Sequence, residues 1–138
     1  MPVTSLLPAT VITTAGTIIS QQFDTKLNNQ KLPLNMAAQA NLAYGSGGTT
    51  IDVYIQTSFD LGATWCDVMN FHFTTANLRE VGNVNRQTAV VPAAATDGSL
   101  AANTKNDGIV GRIWRAKVVS VGTYAGNTTL TVDILGED

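Results

Sequence analysis

The chain of 138 residues has the usual length of one domain, and a hydrophobic content of 44% is enough for a core without metals or disulfides. Charged residues make up only 13%, about half the usual share, which disfavours long amphipathic helices with a charged solvent face. A net charge of −2 with scattered basic residues gives no reason to expect nucleic-acid binding.

The first residues show neither a secretory signal nor a membrane span. No basic region precedes the apolar start, Pro8 interrupts it, and no apolar stretch reaches the ~20 residues that cross a bilayer. We therefore expect a protein made in the cytoplasm and not bound to membranes. Residues 1–8 predict an extended N-terminal arm. Two short β-branched strands at 9–14 and 16–20 and a polar turn at 21–30 are expected to follow.

Apolar residues then alternate with polar ones over residues 32–42. This period of two predicts a strand with one buried face. Pro33 predicts an edge position or the first turn of that strand, because proline cannot donate to a central ladder. The inward side chains would be Leu32, Leu34, Met36, Ala38, Ala40 and Leu42.

A glycine-rich break at 45–48 separates this segment from two further strands, residues 50–57 and 64–73, which are joined by a tight turn. Asp67 falls on the apolar face of the second strand. We therefore predict a β-bulge or a strand end near it.

The C-terminal half predicts strands joined by one long polar connection. Their ranges are 77–84, 87–91, 112–121 and 128–135, with the connection at 92–107, a helical turn within it at 99–103 and a loose tail at 136–138. In the strand 112–121, Trp114, Ala116 and Val118 would face inward, and Arg115 and Lys117 outward. About eight strands at ~10-residue spacing predict an all-β fold, a single antiparallel β-sandwich or jelly roll over residues 9–135.

The turn at Ser58 to Trp65 reads S-x-D-x-G-x-T-W, which matches the Asp-box hairpin motif of neuraminidase propellers and other β proteins. Asp60 can accept hydrogen bonds from the turn amides, Gly62 can supply a positive φ, and Trp65 can cover the hairpin. Ser58 and Thr64 complete the predicted structural turn. A propeller needs several blades of about 40–50 residues each, so one copy in this chain predicts a local folding device and no sialidase.

The sequence holds no recognisable catalytic or metal-binding constellation. Cys66 is the single cysteine and His72 the single histidine, and six residues along one strand separate them by about 20 Å. The acidic residues in 97–107 miss the spacing of a calcium loop. We predict a protein that is not an enzyme and has no catalytic, cofactor-binding or metal-binding residues.

Two binding interpretations stay open at this point. Arg112, Arg115 and Lys117 form either an anion site or the solvated face of a strand. A glycan platform would use exposed aromatic rings, although the two tryptophans are better explained as core. Its candidate residues are Tyr54, Trp65, Trp114 and Tyr124.

Residues 45–75 and 97–133 resemble small virion structural proteins of tailed bacteriophages. The shared features are a G-G-T-T lead into a strand, the Asp-box, an F-x-F-T-T strand end and a closing G-T-Y-A-G-N-T-T-L, and they cover about half of the chain. The resemblance implies a component of the virion and transfers no catalytic residue.

The resulting expectation is a capsid decoration, or cement, protein that bridges subunits of the major capsid protein. Its partners would be that protein or other virion proteins and further copies of itself, with a trimer favoured. A tail or neck component, such as a collar, tube or fibre-attachment protein, is the alternative. A small glycan-binding module is a third candidate.

Overall fold

The computed structural model describes residues 3–26 and 32–137, and every regular element within these ranges is a β-strand. The predicted all-β fold is therefore confirmed. The strands are β1 (Thr4–Val11), β2 (Gly16–Ile19), β3 (Phe23–Asp24), β4 (Asn35–Ala43), β5 (Ser46–Gly47), β6 (Thr50–Ser58), β7 (Cys66–Phe73), β8 (Leu78–Asn85), β9 (Ile113–Val121), β10 (Tyr124–Ala125) and β11 (Thr129–Glu137).

The strands form two main antiparallel sheets. One sheet, which we call sheet A, has the order β1-β11-β4-β8. The other, sheet B, has the order β2-β9-β6-β7, and β3 also pairs with β9. The short strands β5 and β10 pair with each other.

The pairing of the eight longer strands is nested around the β6–β7 hairpin. Outward from that hairpin, β4 pairs with β8, β2 with β9, and β1 with β11. From the hairpin outward, these pairs lie alternately in sheet B and in sheet A. The chain thus forms a long antiparallel hairpin folded into two sheets, as in a β-sandwich.

Side chains from both sheets form one core cluster. The inward residues of β4 and β9 are those that the period of two selects, which confirms both strands and their faces. They are Met36, Ala38, Ala40, Leu42, Trp114, Ala116 and Val118.

The N-terminal segment differs from its prediction. From Thr4 onward it is strand β1, paired with β11, and the Leu6 side chain is fully buried, so residues 4–8 are not a free arm. Pro8 is accommodated because β1 lies at the edge of sheet A and its register with β11 shifts between Leu7 and Thr10. Residues 1–2 lie outside the described ranges.

Three further boundaries are corrected. Strand β11 extends to Glu137, so the tail is part of a sheet to that residue. Strand β4 begins at Asn35, so Leu32 and Leu34 precede it and are only half-buried, outside the core cluster. Of the two positions predicted for Pro33, the edge is wrong because β4 lies between β11 and β8, and Pro33 instead lies just before the first turn of the strand. The predicted polar turn at 21–30 includes the short strand β3, and its residues 27–30 lie outside the described ranges.

The predicted strand 87–91 and the helical turn 99–103 are both wrong. Neither segment belongs to a strand or a helix. Val90 and Val91 are exposed, and the 99–103 segment lies along β7 as part of an irregular loop. Composition favoured regular structure at both places. Contacts with β7 decide the conformation of the 99–103 segment instead, whereas local hydrogen bonds of Gln87 and Thr88 to Asn85 form a turn after β8.

The bulge predicted near Asp67 is confirmed. Ile55 pairs with Met69 and Gln56 pairs with Asp67, so Val68 is the extra residue on β7. The bulge changes the parity of β7, which places Asp67 beside Gln56 on the outer face of sheet B.

Candidate interaction surface

A closed set of hydrogen bonds builds the turn between β6 and β7. The Asp60 carboxylate accepts from the Thr64 amide at 2.8 Å and also from the Thr64 hydroxyl. The Ser58 hydroxyl donates to Asp60 Oδ1 and accepts from the Gly62 amide, each at 2.8 Å. Four of the five predicted turn residues therefore contact one another directly.

Backbone conformation and charge agree with this geometry. Gly62 has φ of +93°, and Leu61 before it has φ of +59°. The hydrogen bonds from Thr64 and then Ser58 lower the pKa of the exposed Asp60 carboxyl to about 2, because they stabilise its ionised form.

The fifth turn residue, Trp65, lies outside the core between the sheets. Its ring is buried, but the Arg115 guanidinium lies over it, with 4.2 Å between the guanidinium carbon and the ring centroid. It also lies 3.7 Å from where a Cβ at Gly62 would be, so it does cover the hairpin. Trp65 is buried, as predicted, but it lies outside the main core cluster because the bulge after it changes the parity of β7.

Asp67 attaches a long irregular segment, the 92–107 loop, to the outer face of sheet B. Its carboxylate is 1% exposed and accepts hydrogen bonds from the Thr96 hydroxyl, the Gln56 amide and three successive backbone amides, residues 98–100, at 2.8–3.1 Å. The sequence signalled this role only indirectly, because Asp67 was the residue that broke the apolar pattern.

Further polar contacts hold the same loop along β7. Asn70 accepts from the Asn103 amide, and its own amide groups donate to Leu100 O and Thr104 O. Asn106 donates to the Asp67 carbonyl at 2.9 Å. The loop therefore covers the outer face of β6 and β7, which explains why β6 is buried on both sides at its end.

An open groove of about 610 Å³ lies beside the hairpin, and we call it the tip groove. It is lined by Phe59 and Trp65 of the hairpin region, by residues 90–95, and by residues 105–107 with Ile109. The charged residues of this lining already have partners. Lys105 lies 3.6 Å from Asp107, which also accepts from two backbone amides, and Asp67 is hydrogen-bonded as described.

The rim of the tip groove exposes large apolar side chains. The exposed fractions are 67% for Phe59, 46% for Val90 and 83% for Val91. Residues 90–95, VVPAAA, make no hydrogen bond to any other described residue. An apolar segment with an open backbone is therefore presented to the surface.

The predicted basic group does not form an anion site. Arg112 donates two hydrogen bonds to the Asp24 carboxylate, at 2.8 and 2.9 Å. Lys117 Nζ lies 3.2 Å and Arg115 Nη2 lies 3.7 Å from Asp97 Oδ1. Each cation is paired with a carboxylate of this chain, so no basic cluster is presented to an anion.

The predicted glycan platform is also absent from the surface. All four of its aromatic residues are buried, with exposed fractions between 0% and 9%, so they offer no stacking face to a sugar. They are Tyr54, Trp65, Trp114 and Tyr124.

Cys66 and His72 take part in separate structural contacts. Burial, followed by the charge of Asp67, raises the pKa of the half-buried Cys66 thiol, which weakens it as a nucleophile. His72 Nδ1 lies 2.8 Å from the Asp52 carboxylate opposite it on β6.

Within the described residues, no three His, Cys, Asp or Glu side chains lie close enough together to hold a metal ion. The same ranges contain no helix of the length and apolarity that a membrane span requires. Comparison of the chain with family models, curated proteins and solved structures gives no significant match.

Proposed function

We propose that this protein is a non-enzymatic structural component of a bacteriophage virion, a decoration protein that stabilises the head by bridging capsid subunits. The observation that carries the proposal is the set of exposed apolar side chains at the tip groove, because exposed apolar patches mark sites of protein association. The resemblance of residues 45–75 and 97–133 to virion proteins supports the same conclusion.

A rigid presentation of this surface suits an assembly role. The Asp60 hydrogen bonds hold the hairpin in one conformation, and Asp67 holds the loop next to residues 90–95. Binding then costs little conformational entropy at each contact. Many identical copies on one shell add such contacts, so modest individual interfaces stabilise the whole particle.

The proposal is tested with particles assembled without the protein. We expect these heads to form but to release DNA at a lower temperature than complete heads, and purified protein added back to restore the heat resistance. Release at the same temperature with and without the protein would contradict the proposal.

Labelling the protein on intact particles distinguishes a location on the head from a location on the tail. Many evenly spaced copies on the head are expected. A single ring at the neck, or label along the tail, would instead support a collar or tail component.

A further inference from the structure

We propose that the tip groove and residues 90–95 form the contact between copies of this chain. The inference rests on the part of the proposed function that places many copies of this chain on one particle, but not on a location in the virion head. It names the surface that neighbouring copies share.

Backbone chemistry gives the first reason. Residues 90–95 belong to no helix, strand, turn or bend, and their carbonyl and amide groups have no hydrogen-bond partner among the described residues. Pro92 removes one donor, which restricts pairing to the side that Pro92 does not face. A segment with such unpaired backbone groups can form hydrogen bonds with an extended segment of another chain.

Side-chain chemistry identifies the partner segment. The groove has an apolar lining and charges that are already paired, so it fits an uncharged apolar strand. Residues 90–95 of a second copy have this composition, VVPAAA. Both halves of the contact are therefore present on one chain. Residues 90–95 carry no charge, and the Lys105 and Asp107 side chains of the groove form an ion pair, so little charge opposes the approach of a second copy.

Another groove, of about 560 Å³ on the outer face of sheet A, fits a second copy less well. Its strands β4, β8 and β11 are already hydrogen-bonded to one another. Its surface carries a polar chain in which Arg79 donates to Gln39 and Gln39 donates to Asp133. Burial of that face would remove these groups from water without adding backbone hydrogen bonds.

The test measures the mass of the purified protein by sedimentation over a series of concentrations. The wild type is expected to self-associate, and Val91→Asp to weaken association about tenfold or more, because a charge would enter the contact. Val121→Asp and Val81→Asp are the controls. Val121 is 51% exposed at the far end of β9, and Val81 is 67% exposed beside the groove on sheet A.

The three variants should melt at the wild-type temperature, since each replaces an exposed side chain. A wild type that stays monomeric throughout, or a Val91→Asp variant that associates like the wild type, would overturn the inference. Loss of association in Val81→Asp alone would assign the contact to sheet A instead. None of these results depends on particle stability, so this inference and the virion role can fail independently.

Discussion

At the scale of single residues, the hairpin turn illustrates how a short motif becomes a rigid structure. Asp60 accepts from the amide and hydroxyl of Thr64, while Ser58 connects it to the Gly62 amide. The polar groups of the turn therefore form hydrogen bonds with one another. The two apolar side chains of the turn, Phe59 and Leu61, face solvent.

The Asp60 carboxylate makes the stability of the turn dependent on pH. Its folded pKa of about 2 lies below the ordinary 3.8, so its contribution is complete above about pH 4 and is lost as the pH falls toward 2. We predict that Asp60→Asn melts below the wild type at pH 6 and that this difference shrinks between pH 4 and 2. Melting curves followed by circular dichroism measure it. A difference that is the same at every pH would contradict the assignment.

Gly62 provides a test of backbone strain in the same turn. A Cβ there would meet only ordinary contacts, the nearest at 3.4 Å, so the cost of Gly62→Ala comes from its φ of +93°. We predict a loss of about 1–2 kcal/mol in the free energy of unfolding, measured by urea denaturation. Gly16→Ala is the matched control, because a Cβ at Gly16 meets nothing within 4 Å and its φ is not positive. Equal stability of the two variants would show that the positive φ at position 62 causes no strain in the alanine variant.

At the scale of elements, the β-bulge on β7 determines where the 92–107 loop lies. One extra residue, Val68, turns Asp67 to the outer face of sheet B. There its carboxylate binds three consecutive loop amides, residues 98–100. A local irregularity in one strand thus positions a segment about thirty residues away.

We predict that Asp67→Ala lowers the free energy of unfolding by about 2 to 4 kcal/mol, because the buried Gln56 amide and the part-buried amides of residues 98–100 lose their common acceptor. Hydrogen exchange of amides 98–106 should also become faster. Asp133→Ala is the control, since Asp133 is half-buried on sheet A and accepts one hydrogen bond, from Gln39. Unchanged exchange in the loop of the Asp67 variant would show that other contacts hold it.

At the scale of the whole molecule, the first and last strands close sheet A together. Thr4 pairs with Ile134, and Leu6 of β1 is completely buried in the common core. The N-terminal segment is therefore part of the domain, so its removal would expose β11 along one side.

We predict that Leu6→Ala lowers the free energy of unfolding by about 2 to 5 kcal/mol through the cavity it creates. Val3→Ala, at a side chain that is 64% exposed just before β1, should change it by less than about 0.5 kcal/mol. Urea denaturation of both variants measures the difference. A neutral effect of Leu6→Ala would mean that the segment does not pack in solution.

The sequence by itself determined the all-β class, the inward faces of β4 and β9, the turn at Ser58 to Thr64 and the bulge near Asp67. These features depend on neighbouring residues, because strand periodicity and turn chemistry act over a few positions. Local patterns carry no information about which distant segment completes a contact. For that reason the partners of β1, the 92–107 loop and Trp65 could not be predicted.

Only the tertiary structure decided that residues 4–8 join sheet A, that Arg115 covers Trp65 and that residues 90–95 have no hydrogen-bond partner among the described residues. Such outcomes depend on contacts between distant parts of the chain. The pairing of Thr4 with Ile134 and the hydrogen bond between Gly98 and Asp67 are examples. Burial and hydrogen bonding at long range outweigh the weak local preferences of such segments.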